Sequence, residues 1–189
     1  VTTSIDIANR ALVLLGGREI ASFTEGTNEA KLAKNLYLSS RDYVLRAYPW
    51  ASLKKRVKLT EIAEKPVNGF DHQYQLPEDS VRVLEVHSGT KLLNDRWEVN
   101  GTAVLTDAKP VSIVYISKTV PESKYSSQLV EALVYRLAAE LAYPMTGNTS
   151  AQGNFQALFT NTLDEARTTD SLEQSARHIG PRNFEYVRQ

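Results

Sequence analysis

The densest block of like charge in the chain is Lys54-Lys55-Arg56-Val57-Lys58. Clustered lysines and arginines release condensed counterions when they meet nucleic-acid phosphates. Lys54, Lys55, Arg56 and Lys58 are therefore a candidate DNA-facing patch. The same run also suits a solvated edge strand, which proteins protect with lysine. Both readings stand on the residues alone.

Other chemistry is sparse. Two well-placed carboxylates suffice for glycoside hydrolysis, and Glu25, Glu29, Asp71, Glu78 and Asp79 qualify by type. No spacing singles out a pair, and Glu78-Asp79 after Pro77 reads as turn chemistry. His72, His87 and His178 are too scattered for a metal pattern and read as surface or strand histidines. Zero cysteines exclude a disulfide framework, a thiolate zinc site and a cysteine nucleophile. There is no phosphate-binding glycine loop, dinucleotide fingerprint or Gly-x-Ser-x-Gly elbow. The residues thus assign no catalytic group, metal or cofactor, and the expectation is a protein that is not an enzyme.

Two aromatic features suggest contacts rather than catalysis. Tyr48-Pro49-Trp50 ends a helical stretch and reads as a structural corner, in which the Trp50 indole N–H needs a partner. At the other end of the chain Ile179, Pro181, Phe184, Tyr186 and Val187 lie outside any expected helix. Such anchors either order on a partner or fold back on the chain's own helices.

The elements that must position these residues follow from periodicity. Ile5, Ala8, Leu12 and Leu15 share one face of a helix over 3–15, opened by a Thr3–Asp6 capping pair and stopped by Gly16-Gly17. A loop over 18–27 leads to a second helix over 28–48, with Ala33, Leu36, Tyr37, Val44 and Tyr48 on its stripe, ended by Pro49. Strands are expected over 81–87 and 111–116, the latter apolar on both faces and so central. Between them, Trp97 to Thr106 reads as a hairpin turning at Asn100-Gly101 in a type I′ turn. From about Tyr125, Val130, Leu133, Val134, Leu137, Ala138 and Leu141 form a wide apolar face, with Arg136 and Glu140 opposite, on a helix that Pro144 should close. After a turn over 145–148, a last helix over 150–177 turns Phe155, Phe159, Leu163 and Ala166 inward, and Gly180-Pro181 breaks it.

Helices thus flank a run of strands, the pattern of an α+β, mainly α fold. The expected architecture is an antiparallel helical bundle (1–50 and 122–179), an inserted β-rich subdomain (51–121) and an extended C-terminal arm (180–189). The chain's 189 residues suffice to bury a core without staples. Its 22 Lys+Arg balance 22 Asp+Glu, which argues against non-specific grip on nucleic acid by the whole surface. No run of 18 apolar residues exists, and the first residues lack a basic segment leading into an apolar block, so neither a membrane span nor a signal peptide is expected.

Four blocks resemble the head–tail adaptors of tailed bacteriophages, the tail tubular protein A-like group. They are Ala11-Leu12-Val13-Leu14-Leu15-Gly16 with Ile20-Ala21-Ser22-Phe23; Arg41-Asp42 through Leu45-Arg46-Ala47-Tyr48-Pro49-Trp50 with Lys55-Arg56; Tyr74 through Asp79 leading into Val81-Arg82-Val83; and Ala132 through Ala142. The second is the most specific, and Leu53 departs from the family pattern, which has an aromatic there. The resemblance implies a virion protein, made in the host cytoplasm, that assembles as a ring of twelve copies below the portal protein. That ring docks the tail or nozzle protein and lets genomic DNA pass through its lumen. It further implies that the arm, through Ile179, Pro181, Arg182, Phe184, Tyr186 and Arg188, docks on the portal. The alternatives are a peptidoglycan hydrolase acting during genome entry and a nucleic-acid-binding module.

Overall fold

The computed structural model describes residues 2–67, 69–94 and 96–178, with 170–178 as helical backbone only. The arm over 179–189, with Ile179, Pro181, Arg182, Phe184, Tyr186 and Arg188, lies outside the described residues. In order come α1 (Ser4–Leu14), α2 (Asn28–Ala47), β1 (Lys54–Lys58), β2 (Glu61–Ile62), β3 (His72–Gln75), β4 (Ser80–Ser88), β5 (Lys91–Leu92), β6 (Trp97–Asn100), β7 (Ala103–Thr106), β8 (Ser112–Ser117), α3 (Ser127–Thr146) and α4 (Thr149–His178). Every described strand falls between the second and third helices, as an α+β fold requires.

Each helix starts and stops for a local reason. Thr3 and Asp6 form a full capping box on α1: the Asp6 N–H donates to Thr3 Oγ1 (3.2 Å) and the Thr3 N–H to Asp6 Oδ2 (2.8 Å). At its other end Gly16, at φ 75°, lets the Gly17 N–H reach the Leu12 carbonyl and the Gly16 N–H the Val13 carbonyl, a Schellman stop. Thr27, Ser126 and Asn148 cap α2, α3 and α4 by accepting from backbone N–H groups. Ahead of Pro49, Tyr48 is extended (φ −141°, ψ 146°), which ends α2.

Two sequence expectations are corrected. Pro144 does not close α3: the helix runs to Thr146 and ends at Gly147, at φ 66°. A proline so near a C-terminus forfeits its own hydrogen bond, while the Thr146 hydroxyl and the Gly147 N–H still satisfy the carbonyls of Ala142 and Tyr143. The β6–β7 hairpin turns at Gly101-Thr102, not Asn100-Gly101, because Asn100 pairs with Ala103. Gly101 has φ 59° and no described non-glycine residue has positive φ, so the turn has the type II′ pattern.

The strands form two antiparallel four-stranded sheets, in the orders β1-β8-β4-β5 and β2-β3-β7-β6. In the first sheet β8 is central, and its alternate residues serve two cores. Ile116 packs into a core shared with all four helices, which includes Ile7, Leu12, Leu45, Trp50, Leu133, Leu137 and Phe159. Ile113 and Tyr115 point the other way, into a second core with Tyr74, Val86 and Val104 between the two sheets. Bulges in β4, at Ser80/Arg82 and Val83/Glu85, let Val81 and Leu84 pack toward the helices. Among the helices α3 is central, which explains why it is apolar nearly all round. It runs antiparallel to α4, cross-linked by Arg136 to Gln156 and by Gln128 to Thr169. No described helix is long and apolar enough to cross a membrane.

Candidate functional site

The basic run becomes β1, the edge strand of the first sheet, and alternation divides its charges. Lys54, Arg56 and Lys58 share one face, opposite Ile116, Val114 and Ser112 of β8. All three are exposed and have no carboxylate partner among the described residues. Lys55 points to the other face and leaves the patch. Its Nζ lies 2.9 Å from Asp79 Oδ2 and donates to Thr119 Oγ1 at 2.8 Å. The candidate patch of four is thus a row of three.

Asp79, which sequence assigned to a turn, is a polar hub. Its Oδ2 accepts from Ser117 Oγ (2.6 Å), Thr119 Oγ1 (2.8 Å) and Lys55 Nζ (2.9 Å), and its Oδ1 from Tyr115 OH (3.0 Å). Burial by itself would push the Asp79 carboxyl upward. The bonds from Ser117, Lys55, Thr119 and Tyr115 outweigh it and hold the group well below the usual carboxylate range. Burial and the bond to Asp79 push the Tyr115 phenol up to about 12. A carboxylate so held stays ionised and accepts only. It ties β1, β8 and the start of β4 together and is a poor general acid.

The other titratable groups are distributed rather than convergent. Glu25 Oε2 accepts from the Ala21 N–H inside the α1–α2 loop. His72 Nδ1 meets Glu61 Oε1 at 2.7 Å, and Lys109 Nζ lies 2.5 Å from Glu61 Oε2. The Lys109 bond is the main cause of a lowered Glu61 carboxyl. His87 Nε2 meets Glu85 Oε2 at 2.8 Å. Both histidines therefore sit on strands beside a glutamate. Among the described residues no group of three such side chains could hold a metal ion.

The corner is built from α2. Trp50 is 2% exposed, and its indole N–H donates to the Val44 carbonyl at 2.9 Å. Tyr48 packs edge-on to it with centroids 4.8 Å apart, and the Tyr48 hydroxyl donates to the Ala166 carbonyl of α4. Pro49 stands between them, and Leu53 is fully buried in the same core.

Two features escaped the sequence. Arg136, read only as the opposite side of α3, pairs with Glu140, donates to Gln156 of α4 and lies 4.2 Å from the centroid of the Tyr43 ring of α2. It bolts three helices together. Arg46 and Arg82 form a reciprocal clasp: Arg46 Nη1 donates to the Val81 carbonyl (3.0 Å), and Arg82 Nη1 to the Arg46 carbonyl (3.3 Å). Both arginines lie inside blocks quoted above, yet nothing in their spacing, 36 residues apart, announces that they meet. No protein-family model matches the chain, and no curated protein does.

Proposed function

We propose that this chain is a structural adaptor of a tailed-phage virion. It forms a ring of twelve copies below the portal protein, completes the packaged head, docks the tail or nozzle protein and lets genomic DNA pass through the lumen. Its finer architecture on this reading is an antiparallel helical bundle with a β-rich insertion. It acts by fitting between neighbours, and no substrate bond is broken.

One observation supports the reading. The four blocks that carry the resemblance, far apart in sequence, occupy linked structural positions. The first, second and fourth supply Leu12, Ile20, Leu45, Tyr48, Trp50 and Leu133 to one core. The third supplies Asp79, which holds Lys55 of the second. The residues that carry the resemblance thus build one framework.

In such a ring identical subunits meet through a heterologous interface whose rotation closes. The arm residues Ile179, Pro181, Arg182, Phe184, Tyr186 and Arg188 supply affinity by docking on the portal, and many arms on one ring add avidity without stronger single contacts. The test is the mass of the protein alone and mixed with the portal protein of the same virus. Joining at one copy per portal subunit is expected, and it should be lost when the chain is cut before Gly180 while the shortened protein stays folded. Failure of the full chain to associate refutes the reading.

A further inference from the structure

The register between β1, β8 and β4 places the charges of the first sheet in three rows on its helix-side face: Lys54–Ile116–Arg82, Arg56–Val114–Glu85 and Lys58–Ser112–His87. Successive cations along β1 are about 6.8 Å apart, so their heads form a straight rank about 14 Å long. Arg82 stands across Ile116 from Lys54, two strand spacings or about 9.6 Å away. Arg46 joins it through the clasp, and both arginines are exposed. Each spends one N–H on a backbone carbonyl, and neither has a carboxylate partner among the described residues. The single acid in these rows, Glu85, hydrogen-bonds His87 and stands across Val114 from Arg56.

Edge protection accounts for lysines on β1. It also reaches Arg82, because β5 pairs only with His87 and Ser88 and leaves the start of β4 an edge, but it does not account for Arg46, which is on a helix. A chain of zero net charge has placed five cations without carboxylate partners among the described residues on or beside this face, to either side of the buried Ile116 and Val114. An evenly spaced linear rank matches a polymer with a repeated anionic group better than a single small anion. Arginines with free N–H groups are suited to phosphate oxygens.

We propose that Lys54, Arg56 and Lys58, with Arg46 and Arg82 beside them, form a surface that binds the phosphate backbone of a nucleic acid without reading its sequence. The inference does not rest on the connector reading, since a single copy of the chain carries the whole surface.

The test uses the full-length protein and labelled 20-mer oligonucleotides, duplex and single-stranded, followed by fluorescence anisotropy between 50 and 200 mM salt. With all five cations engaged, log K should fall with log salt at a slope of about −4.5 for duplex and about −3.5 for single strand. For duplex that is roughly a 500-fold loss over the range. Arg56→Gln and Arg82→Gln should each flatten the duplex slope by about 0.9, whereas Lys55→Gln should leave it unchanged. Absence of binding at 50 mM salt, or slopes that ignore Arg56→Gln and Arg82→Gln, would overturn the proposal. So would equal affinity for polyglutamate, which would assign the surface to an acidic protein. Because portal association is measured separately, failure here leaves the adaptor reading standing.

Discussion

Replacing Asp79 by asparagine keeps the shape of the side chain and removes its charge. Asparagine can turn its carbonyl oxygen toward Ser117, Thr119 and Lys55 and its amide toward Tyr115, whose hydroxyl accepts as well as donates. The Tyr115 O–H alone loses its acceptor, so most of the loss reports the charge. Hydrogen bonds to an ionised group contribute about 1.5–3 kcal/mol and neutral ones about 0.5–1.5. The difference is about 1 kcal/mol for each of three donors, with the least from Lys55, whose side chain is 42% exposed. Because the bonds share one acceptor they do not add fully, and Asp79→Asn should cost about 2–3 kcal/mol. For a chain of this size the midpoint of thermal unfolding should fall by about 4–12 °C. The dependence on pH has a definite sign. The folded-state carboxyl is held below its unfolded value of about 3.9. Its stabilisation is therefore complete above that value and is lost as pH falls through the lower folded-state value. Urea unfolding followed by tryptophan fluorescence at pH 7, 5 and 3 should show an equal gap between parent and variant at pH 7 and 5, and a smaller one at pH 3. A gap under about 0.5 kcal/mol at pH 7, within the range of ordinary surface substitutions, or one that fails to narrow in acid, refutes the assignment of Asp79 as an ionised clamp.

Trp50→Ala should cost about 3–5 kcal/mol, read from denaturant unfolding, because it empties a fully packed site; a negligible loss would mean the corner is not part of the core. Gly16→Ala should cost about 1–2 kcal/mol, since a Cβ is strained at φ 75° although nothing lies within 4 Å of it. Calorimetry that shows no change would remove the Schellman stop from the account of α1. Arg136→Lys should destabilise by about 1–2 kcal/mol despite keeping the charge, because an ammonium lacks the planar fork that meets Glu140, Gln156 and the Tyr43 face together. Thermal unfolding that matches the parent would reduce Arg136 to an ordinary surface charge.

How legible the molecule is in its sequence depended on how local each cause was. Caps, glycine stops and the proline after Tyr48 act within a turn of their own position, and the four helices follow from them and from the apolar period. β8 was legible as a central strand because Ile113, Val114, Tyr115 and Ile116 are apolar on both faces. β2, β3 and β5 were not: they are short, and His72 to Gln75 carries a strand only because Tyr74 is buried between the sheets. Pro144 misled because its lost bond and ring clash fall on the preceding turn, while the residues after it still satisfy the carbonyls of Ala142 and Tyr143. Of the candidate patch, type alone marked Lys54, Arg56 and Lys58. Removing Lys55 required knowing that Asp79, 24 residues away, lies across the strand, and adding Arg46 and Arg82 required the bulged register of β4.

The double use of β8 also explains where the charges could be placed. Ile116 is buried with the helices and Tyr115 between the sheets, so neither face of that strand can be charged without opening a core. On the helix-side face, cover is lost toward β1, where residues in line with Ile116 and Val114 are exposed. Alternate positions there are released from the apolar requirement while remaining held in register by a rigid neighbour. Lys55 and Val57 face the other way, and Lys55 is tolerated on that side because Asp79 meets its charge. A run that is uniform in sequence is therefore split by the pleat into a tethered cation and a rank without carboxylate partners among the described residues.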